Sequence, residues 1–282
     1  MKSKLTRKSK VYLSGHLISF DQIISPLSLY AYGAFTTIKY TPEGLLFLDK
    51  HFERLKYNCR ELNIKYPSDE KIIEGIISAL NANHCRNKDA IVRVTLFPES
   101  INWNNPQFIK DTPCAILVTT REMYYLPQNF KLKTVNLTRN MPHLKTINYT
   151  VNMLAKAQAR EAGYHDGLFL NQKGNITEGT AWNIFFIKNN KIYTPPLDSG
   201  ILEGITRGAV IDICQKLDIE LITEDISLKS INNYEAAFIT NASQGPHAVL
   251  QIDETDYDIE NETFLRAREE YSRIPLLRLP EE

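Results

Sequence analysis

The chain has 282 residues, of which 43% are hydrophobic, enough to form a packed core in one large domain or in two ordinary ones. Lysine plus arginine and aspartate plus glutamate both number 33, so the formal net charge is zero and no overall field favours nucleic acid, an anionic membrane or an acidic partner. The four cysteines are widely separated and have no metal-ligand spacing with the six histidines, so we expect free thiols and no metal site.

The start of the chain, residues 1–15, is basic but lacks the apolar run of a secretory signal. No stretch approaches the roughly 20 apolar residues that a membrane-spanning helix needs. We therefore expect a cytoplasmic protein that does not associate with membranes.

The first half of the chain mixes strand and helix patterns. Residues 10–21 alternate apolar and polar side chains, and residues 32–52 are typical of two strands joined by a Thr-Pro-Glu-Gly turn. Apolar side chains at helical spacing mark residues 51–63 and 71–83. Stretches rich in branched residues predict two further strands, at residues 89–97 and 113–120. Together these elements predict a small α+β domain over residues 1–122.

The pattern breaks at residues 119–131, around Pro127, where we place a domain boundary. A helical face follows from Val151 to Ala162, with Gly163 as its predicted C-terminal cap. The remaining predicted elements are strands at residues 166–171, 183–188 and 191–195, and helices at residues 206–217 and 260–274. They predict a larger second domain over residues 123–282.

Lys145 stands just before the first of these helices, four residues ahead of Tyr149. A lone lysine is most often a solvated surface charge. Glu178 gives it a different context, because this carboxylate lies between a turn and a strongly apolar strand. A carboxylate buried there needs a cationic or hydrogen-bonding partner, such as a protonated pyridine nitrogen. The alternative is that Glu178 closes a hairpin at the surface.

Three other stretches suit a phosphate group. Ile205 and Thr206 begin an amphipathic helix after a glycine-containing turn, where backbone N–H groups and the helix dipole favour an anion. A turn of small residues, 241–243, follows a strand and offers further amides. Arg54 lies beside the core face of an earlier helix and needs an anionic partner, for which a surface ion pair is the alternative. A lysine, a carboxylate and a phosphate clamp together fit pyridoxal phosphate (PLP).

The stretch from Lys145 to Arg207, "KTINYTVNMLAKAQAREAGYHDGLFLNQKGNITEGTAWNIFFIKNNKIYTPPLDSGILEGITR", resembles the core of the class IV aminotransferases. These fold type IV PLP enzymes include branched-chain aminotransferases, D-amino acid aminotransferases and aminodeoxychorismate lyases. The likeness runs from about Val11 to Ile252, with "HFERL" also in its family place. It implies a two-domain fold with a small N-terminal α+β domain, a larger C-terminal domain with a barrel-like mixed sheet, and a homodimer.

Carried over by position, Lys145 resembles the lysine that holds the cofactor as an internal aldimine and shuttles the substrate proton. Tyr149 resembles the tyrosine that bonds the phenolic oxygen, and Glu178 the carboxylate that keeps the ring nitrogen protonated. Leu202 takes the position that packs on the ring face. The remaining cofactor contacts implied by the resemblance form the phosphate clamp: Arg54, the amides of Ile205 and Thr206, and the turn Asn241, Ala242 and Ser243.

Some positions favour the lyases and others the aminotransferases. Asn241, Ala242 and Ser243 replace the common Gly-Thr-Ala turn, and Thr36 in "GAFTT" replaces a frequent glutamate; both resemble lyases. Tyr149 and the motifs "TEG" and "GITR" are instead similar to aminotransferases.

Four residues are candidates for the substrate pocket. Phe35 and Thr37 flank Thr36, and Arg93 could bind a substrate carboxylate or form an ion pair. Trp182 stands where branched-chain enzymes usually carry a small residue, and either narrows the pocket or fills the core.

The resemblance implies an aminotransferase that moves an amino group from an amino acid to a 2-oxo acid by a ping-pong mechanism. The alternative is an aminodeoxychorismate lyase, which forms 4-aminobenzoate and pyruvate. A third hypothesis is a cofactor-binding scaffold or sugar-phosphate protein in which the lysine is structural.

Overall fold

The structure is a computed structural model that describes residues 10–19, 30–99 and 110–279. Its contacts divide the chain into two compact units. The first takes the described parts of Met1–Tyr124, Leu144–Asn148 and Pro275–Glu282, and the second takes Tyr125–His143 and Tyr149–Ile274. The sequence predicted a single boundary after residue 122, whereas the first unit also includes the short segment that carries Lys145.

The first unit contains an antiparallel sheet. Its described strands are β1 (Lys10–Leu13), β2 (His16–Ser19), β3 (Ala34–Thr41), β4 (Gly44–Leu45), β5 (Ala90–Pro98) and β6 (Cys114–Glu122). They follow the order β2-β1-β6-β5-β3-β4 across the sheet. The Thr-Pro-Glu-Gly turn joins β3 to β4 as predicted, with Thr41 opposite Gly44.

Two helices of the first unit, α1 (Leu48–Glu61) and α2 (Asp69–Ala82), pack on this sheet. The apolar spacing that predicted α1 is its buried face, with Phe52, Leu55 and Cys59 in the core. Helix α2 begins at an N-cap serine, Ser68, whose hydroxyl accepts a hydrogen bond from the Lys71 N–H.

The segment that carries Lys145 is held against the start of β3. The Phe35 N–H donates to the Lys145 carbonyl at 3.0 Å, and the Ile147 N–H donates to the Gly33 carbonyl at 3.1 Å. A Cβ at Gly33 would lie only 2.7 Å from the Leu96 carbonyl oxygen, so glycine permits this close pairing. Backbone hydrogen bonds, rather than a helix, therefore place the lysine.

The second unit contains a larger, mixed sheet. Its strands are β7 (Lys131–Val135), β8 (Asp166–Leu170), β9 (Asn175–Gly179), β10 (Asn183–Lys188), β11 (Lys191–Thr194), β12 (Leu221–Thr223), β13 (Ile226–Ser227), β14 (Ala236–Asn241), β15 (Gly245–Val249), β16 (Gln251–Ile252) and β17 (Thr255–Asp256). Strand β7 runs parallel to β8 and β16, and β11 runs parallel to β12. The mixed sheet matches the expectation, although no pairing among the described strands closes it into a barrel.

Three helices accompany this sheet: α3 (Thr150–Glu161), α4 (Ile205–Lys216) and α5 (Glu262–Ser272). Strand β10 is buried on both faces, with Ile184 and Phe186 in one apolar cluster and Phe185 in another that includes residues of α4 and α5. The predicted turns have the expected left-handed conformation, with φ of 84° at Gly163 and positive φ at residues 189 and 190. In the described part of the chain, no helix has the length and apolar character to span a bilayer.

Candidate active site

The predicted site residues lie in two groups, one within each unit. The group in the first unit consists of Phe35, Thr36, Thr37, Arg54, Arg93 and Lys145. The group in the second unit consists of Tyr149, Glu178, Trp182, Leu202, Ile205, Thr206, Asn241, Ala242 and Ser243.

Lys145 shares an aromatic ring with a second cation. Its Nζ lies 4.8 Å from the centroid of the buried Phe35 ring, and the Arg93 guanidinium carbon lies 3.7 Å from the same centroid. Arg93 also donates through Nε to the Thr95 hydroxyl at 3.4 Å. An amine beside an apolar ring and another positive charge is in an environment that suits a nucleophilic lysine.

A buried histidine, His51, lies near the same lysine and is a residue that the sequence patterns did not single out. It is 1% exposed, and its Nδ1 lies 2.6 Å from the Thr36 hydroxyl. Burial holds the pKa of His51 well below its ordinary value, and the positive charges of Arg54 and Lys145 lower it further. His51 is therefore neutral in the folded chain. Its position four residues before the core residue Leu55 was the signal of burial that the sequence offered.

Glu178 is the centre of the group in the second unit. It lies in β9 and is only 3% exposed, so the alternative of a surface hairpin does not hold. Its Oε1 accepts from the Arg139 guanidinium, and its Oε2 accepts from the Leu202 N–H at 3.0 Å. Asn183 approaches Oε2 at 3.4 Å. A cationic donor, a backbone amide and a side-chain amide thus surround this buried carboxylate.

Sequence reasoning missed Arg139 and Asn183. Arg139 lies outside the regular elements, and nothing in its neighbours indicated a buried partner. Asn183 also donates to the Leu202 carbonyl at 2.9 Å and so fixes the turn before α4. A Cβ at Gly204 would overlap the Asn183 side-chain oxygen, which explains the glycine in that turn.

Helix α4 starts without a side-chain cap. Gly204 is the N-cap and provides no side-chain hydrogen bond to the first turn. The N-terminal amides of an uncapped helix, together with its dipole, attract negative charge. Ile205 and Thr206 in this turn are buried. Close to Thr206, burial raises the pKa of Tyr271 to about 12, so this phenol is neutral.

The turn after β14 differs from the predicted second anion cradle. The Asn241 side-chain oxygen accepts from the Ser243 N–H and hydroxyl, both at 3.0 Å, and from the Gln244 N–H at 2.9 Å. Those donors are directed at Asn241 itself. The Ser243 and Gln244 amides are therefore already engaged within the turn, whereas a glycine in place of Asn241 would leave these donors available to an anion.

Trp182 lies in the apolar core of the second unit, where it is 4% exposed. Its indole N–H donates at 3.1 Å to Asp166, a fully buried carboxylate. Asp166 also accepts from the Thr180 hydroxyl at 2.5 Å, the Gly167 N–H at 2.8 Å and Lys156 at 2.8 Å. Burial and this hydrogen bond favour the core-filling interpretation of Trp182 over a pocket wall. Tyr149, in contrast, is half-buried at the N-cap of α3.

Comparison with known protein families gives one family match. The model of the family described as amino-transferase class IV matches residues 33–252, which is more than half of the chain.

Individual relatives divide between two activities. The chain is 30% identical to an aminodeoxychorismate lyase of Bacillus subtilis over 260 residues, covering 88% of each protein. It is also 30% identical to a putative branched-chain-amino-acid aminotransferase of Methanocaldococcus jannaschii, covering 86% of this chain and 88% of that protein. Among solved structures, a branched-chain aminotransferase from Thermoproteus uzoniensis with norvaline is similar, with a TM-score of 0.82, 26% identity and 94% coverage of both chains.

Proposed function

Because the chain belongs to the class IV aminotransferases, which are PLP-dependent enzymes, we propose that it transfers an amino group from an amino acid to a 2-oxo acid by a ping-pong mechanism. The observation that carries the proposal is the carboxylate of Glu178, which is buried beside an apolar strand and accepts from a cationic N–H donor, Arg139. A protonated ring nitrogen is a donor of that kind.

The residues present fit PLP by their chemistry. A lysine beside a second cation is suited to covalent attachment of the cofactor. The start of helix α4, which has no side-chain cap, and an arginine from another part of the chain are groups that bind a phosphate. When bound, PLP supplies the electron sink for the negative charge that develops on the substrate α-carbon.

We assign Lys145 both the covalent bond to PLP and the transfer of the proton from the substrate α-carbon through its Nζ. Glu178 holds a proton on the ring nitrogen, and Arg139 compensates the carboxylate charge so that it can remain buried. Tyr149 donates to the phenolic oxygen, and Leu202 packs against the ring.

The phosphate is assigned to Arg54, to the amides of Ile205 and Thr206, and to the turn of residues 241–243. Because the Ser243 and Gln244 amides already donate to the Asn241 side chain, we propose that most of the backbone contribution comes from the start of α4. For the substrate, Arg93 is proposed to bind the carboxylate, with Phe35 and Thr37 beside it. A branched-chain amino donor is proposed because branched-chain aminotransferases recur among the relatives.

An aminodeoxychorismate lyase is the second candidate, and the Thr36–His51 pair favours it. A threonine here replaces the glutamate that aminotransferases of the family often carry, and the Bacillus subtilis relative is a lyase. The Asn241 turn also favours the lyase, whereas Tyr149 favours the aminotransferase.

Two further properties are proposed. The resemblance to the family supports a homodimer, and light scattering over a dilution series that gave only monomer would contradict it. The four free cysteines support a cytoplasmic location.

The test supplies L- and D-amino acids, and separately aminodeoxychorismate, to the purified protein while cofactor absorbance and products are followed. Conversion of the cofactor to its amino form with release of a 2-oxo acid, reversed by a second 2-oxo acid, is the expected result. Pyruvate and 4-aminobenzoate formed together, with the absorbance unchanged, would establish the lyase instead. A protein without any cofactor absorbance would support the scaffold hypothesis.

Two variants test the assigned roles. Lys145→Ala is expected to abolish covalent cofactor and turnover, whereas Lys173→Ala, at an exposed lysine of the second unit, should change neither. Glu178→Gln should retain cofactor but lose much of the rate, because the ring nitrogen would lose its anionic partner. Substantial transamination by Lys145→Ala would remove this lysine from the mechanism.

A further inference from the structure

A pocket of about 480 Å³ lies within the first unit, and none of the residues assigned to the cofactor lines it. It is formed by β1 and the turn after it, residues 65–67, helix α2, the residue that follows β5 and the start of β6. Its volume is in the range of small-molecule binding sites.

Part of the pocket wall is aromatic and fixed in place. The Tyr12 ring is buried and packs against helix α2 at Gly75, where a Cβ would lie 2.8 Å from the ring. Tyr66 donates from its hydroxyl to Asp69 at 2.6 Å, which orients the second ring. Pro113 and Ile116 add apolar surface. These rings form a firm surface for an apolar group.

The rest of the wall carries four charged side chains, two of each sign: Lys65, Lys71, Glu74 and Glu99. All four are exposed, and within the described ranges none of them forms an ion pair. Unpaired charges of opposite sign around one pocket are available to a ligand that carries both signs.

We propose that this pocket binds a free α-amino acid with an apolar or aromatic side chain. The ammonium group faces Glu74 and Glu99, the carboxylate faces Lys65 and Lys71, and the side chain lies against the tyrosine rings. A phosphate or a dicarboxylate would be repelled by the two glutamates, and a polyamine would be repelled by the two lysines. A zwitterion has a group of opposite charge for each of these pairs. The site is separate from the proposed catalytic residues and would bind an amino acid whether or not the catalytic proposal holds.

The experiment uses the holoenzyme after borohydride reduction, which blocks the amine of Lys145 by making its bond to PLP permanent. Isothermal titration calorimetry with L-leucine and L-phenylalanine is expected to give saturable binding at one site per chain. N-acetyl-L-leucine lacks the ammonium charge and L-leucinamide lacks the carboxylate, so each should bind about tenfold more weakly or worse than L-leucine. Absence of saturable binding, or equal affinity for the derivatives, would overturn the proposal.

Variants locate the binding site. Lys71→Gln and Glu74→Gln remove one charge each from exposed positions of α2, and each is expected to weaken L-leucine binding about tenfold. The matched controls are Lys88→Gln, in the same unit, and Glu70→Gln, one turn earlier on α2; neither residue lines the pocket, and neither change should affect affinity. Unchanged binding in both pocket variants would overturn the assignment.

The two proposals fail in different ways. Binding that disappears on borohydride reduction would place the signal at Lys145, which supports the catalytic proposal and overturns this one. Binding of L-leucine to protein that has no cofactor absorbance would support the pocket and contradict the catalytic proposal.

Discussion

Acid is expected to destabilise the protein through His51. This imidazole is buried, its Nδ1 lies beside the Thr36 hydroxyl, and the charges of Arg54 and Lys145 oppose its protonation. The pKa of His51 in the folded chain is thus well below the value of about 6.5 for a histidine in an unfolded chain. Below that pH the unfolded chain binds a proton that the folded chain does not.

The size of this loss in the free energy of unfolding follows from proton linkage. Above about pH 6.5 the imidazole is neutral in both states and the stability is fully present. As the pH falls through that value towards the lower folded pKa, the free energy of unfolding decreases by about 1.4 kcal/mol for each pH unit. At about pH 5 the loss that belongs to His51 therefore has an upper limit of about 2 kcal/mol.

The assay is urea denaturation at about pH 7.5 and about pH 5, applied to the native chain and to His51→Gln. The amide retains a polar partner for Thr36 but does not titrate, so the variant should lose less stability than the native chain between the two pH values, by up to about 2 kcal/mol. Burial also lowers the pKa of His165 and His247, but both are present in both proteins. His84→Asn is the control, because His84 is exposed and its φ of 54° suits asparagine. Equal pH dependence in the native chain and His51→Gln would refute the reasoning.

Three further substitutions test the second unit. Arg139→Met should lower the free energy of unfolding by about 3–5 kcal/mol, because it leaves the buried Glu178 carboxylate without its cation; a change below about 1 kcal/mol in urea denaturation would contradict this. Gly204→Ala should weaken cofactor retention during dialysis, because the new Cβ overlaps the Asn183 side chain and displaces the turn before α4. Asp166→Asn should lower the free energy of unfolding by about 2–4 kcal/mol, because the new amide nitrogen cannot accept the hydrogen bonds that the carboxylate accepts. An unchanged midpoint of unfolding, followed by tryptophan fluorescence, would contradict this.

Local patterns were sufficient for most of the secondary structure. The spacing of Phe52, Leu55 and Cys59 predicted the buried face of α1, because an α-helix has 3.6 residues per turn whichever element it packs against. Residues 189 and 190 predicted their turn because asparagine tolerates positive φ. Boundaries set by distant contacts were not predictable in this way. Lys145 belongs to the first unit because its backbone pairs with β3, more than a hundred residues earlier in the sequence.

The same distinction applies to the candidate site. The apolar strand around Glu178 indicated a buried carboxylate and therefore a partner, but not which residue would supply it. Arg139 lies in an irregular segment, and only the fold brings its guanidinium to that carboxylate. The Asn241 turn shows the converse: its small residues, 241–243, indicated free amides, while the Asn241 side chain accepts from the Ser243 amide and from the amide of Gln244, the residue after the turn.

The Thr36–His51 pair gives a physical meaning to one difference between the two candidate activities. A glutamate at position 36 would place a carboxylate against the His51 Nδ1 and favour a protonated imidazole. Threonine instead offers a neutral hydroxyl, and the buried imidazole stays neutral. The substitution thus removes both a negative and a positive charge from the surroundings of Arg54 and Lys145. We therefore expect Thr36→Glu to raise the pKa of His51, measurable by NMR titration of its ring protons. A pKa that remains well below 6.5 would show that burial and the neighbouring cations outweigh the added carboxylate.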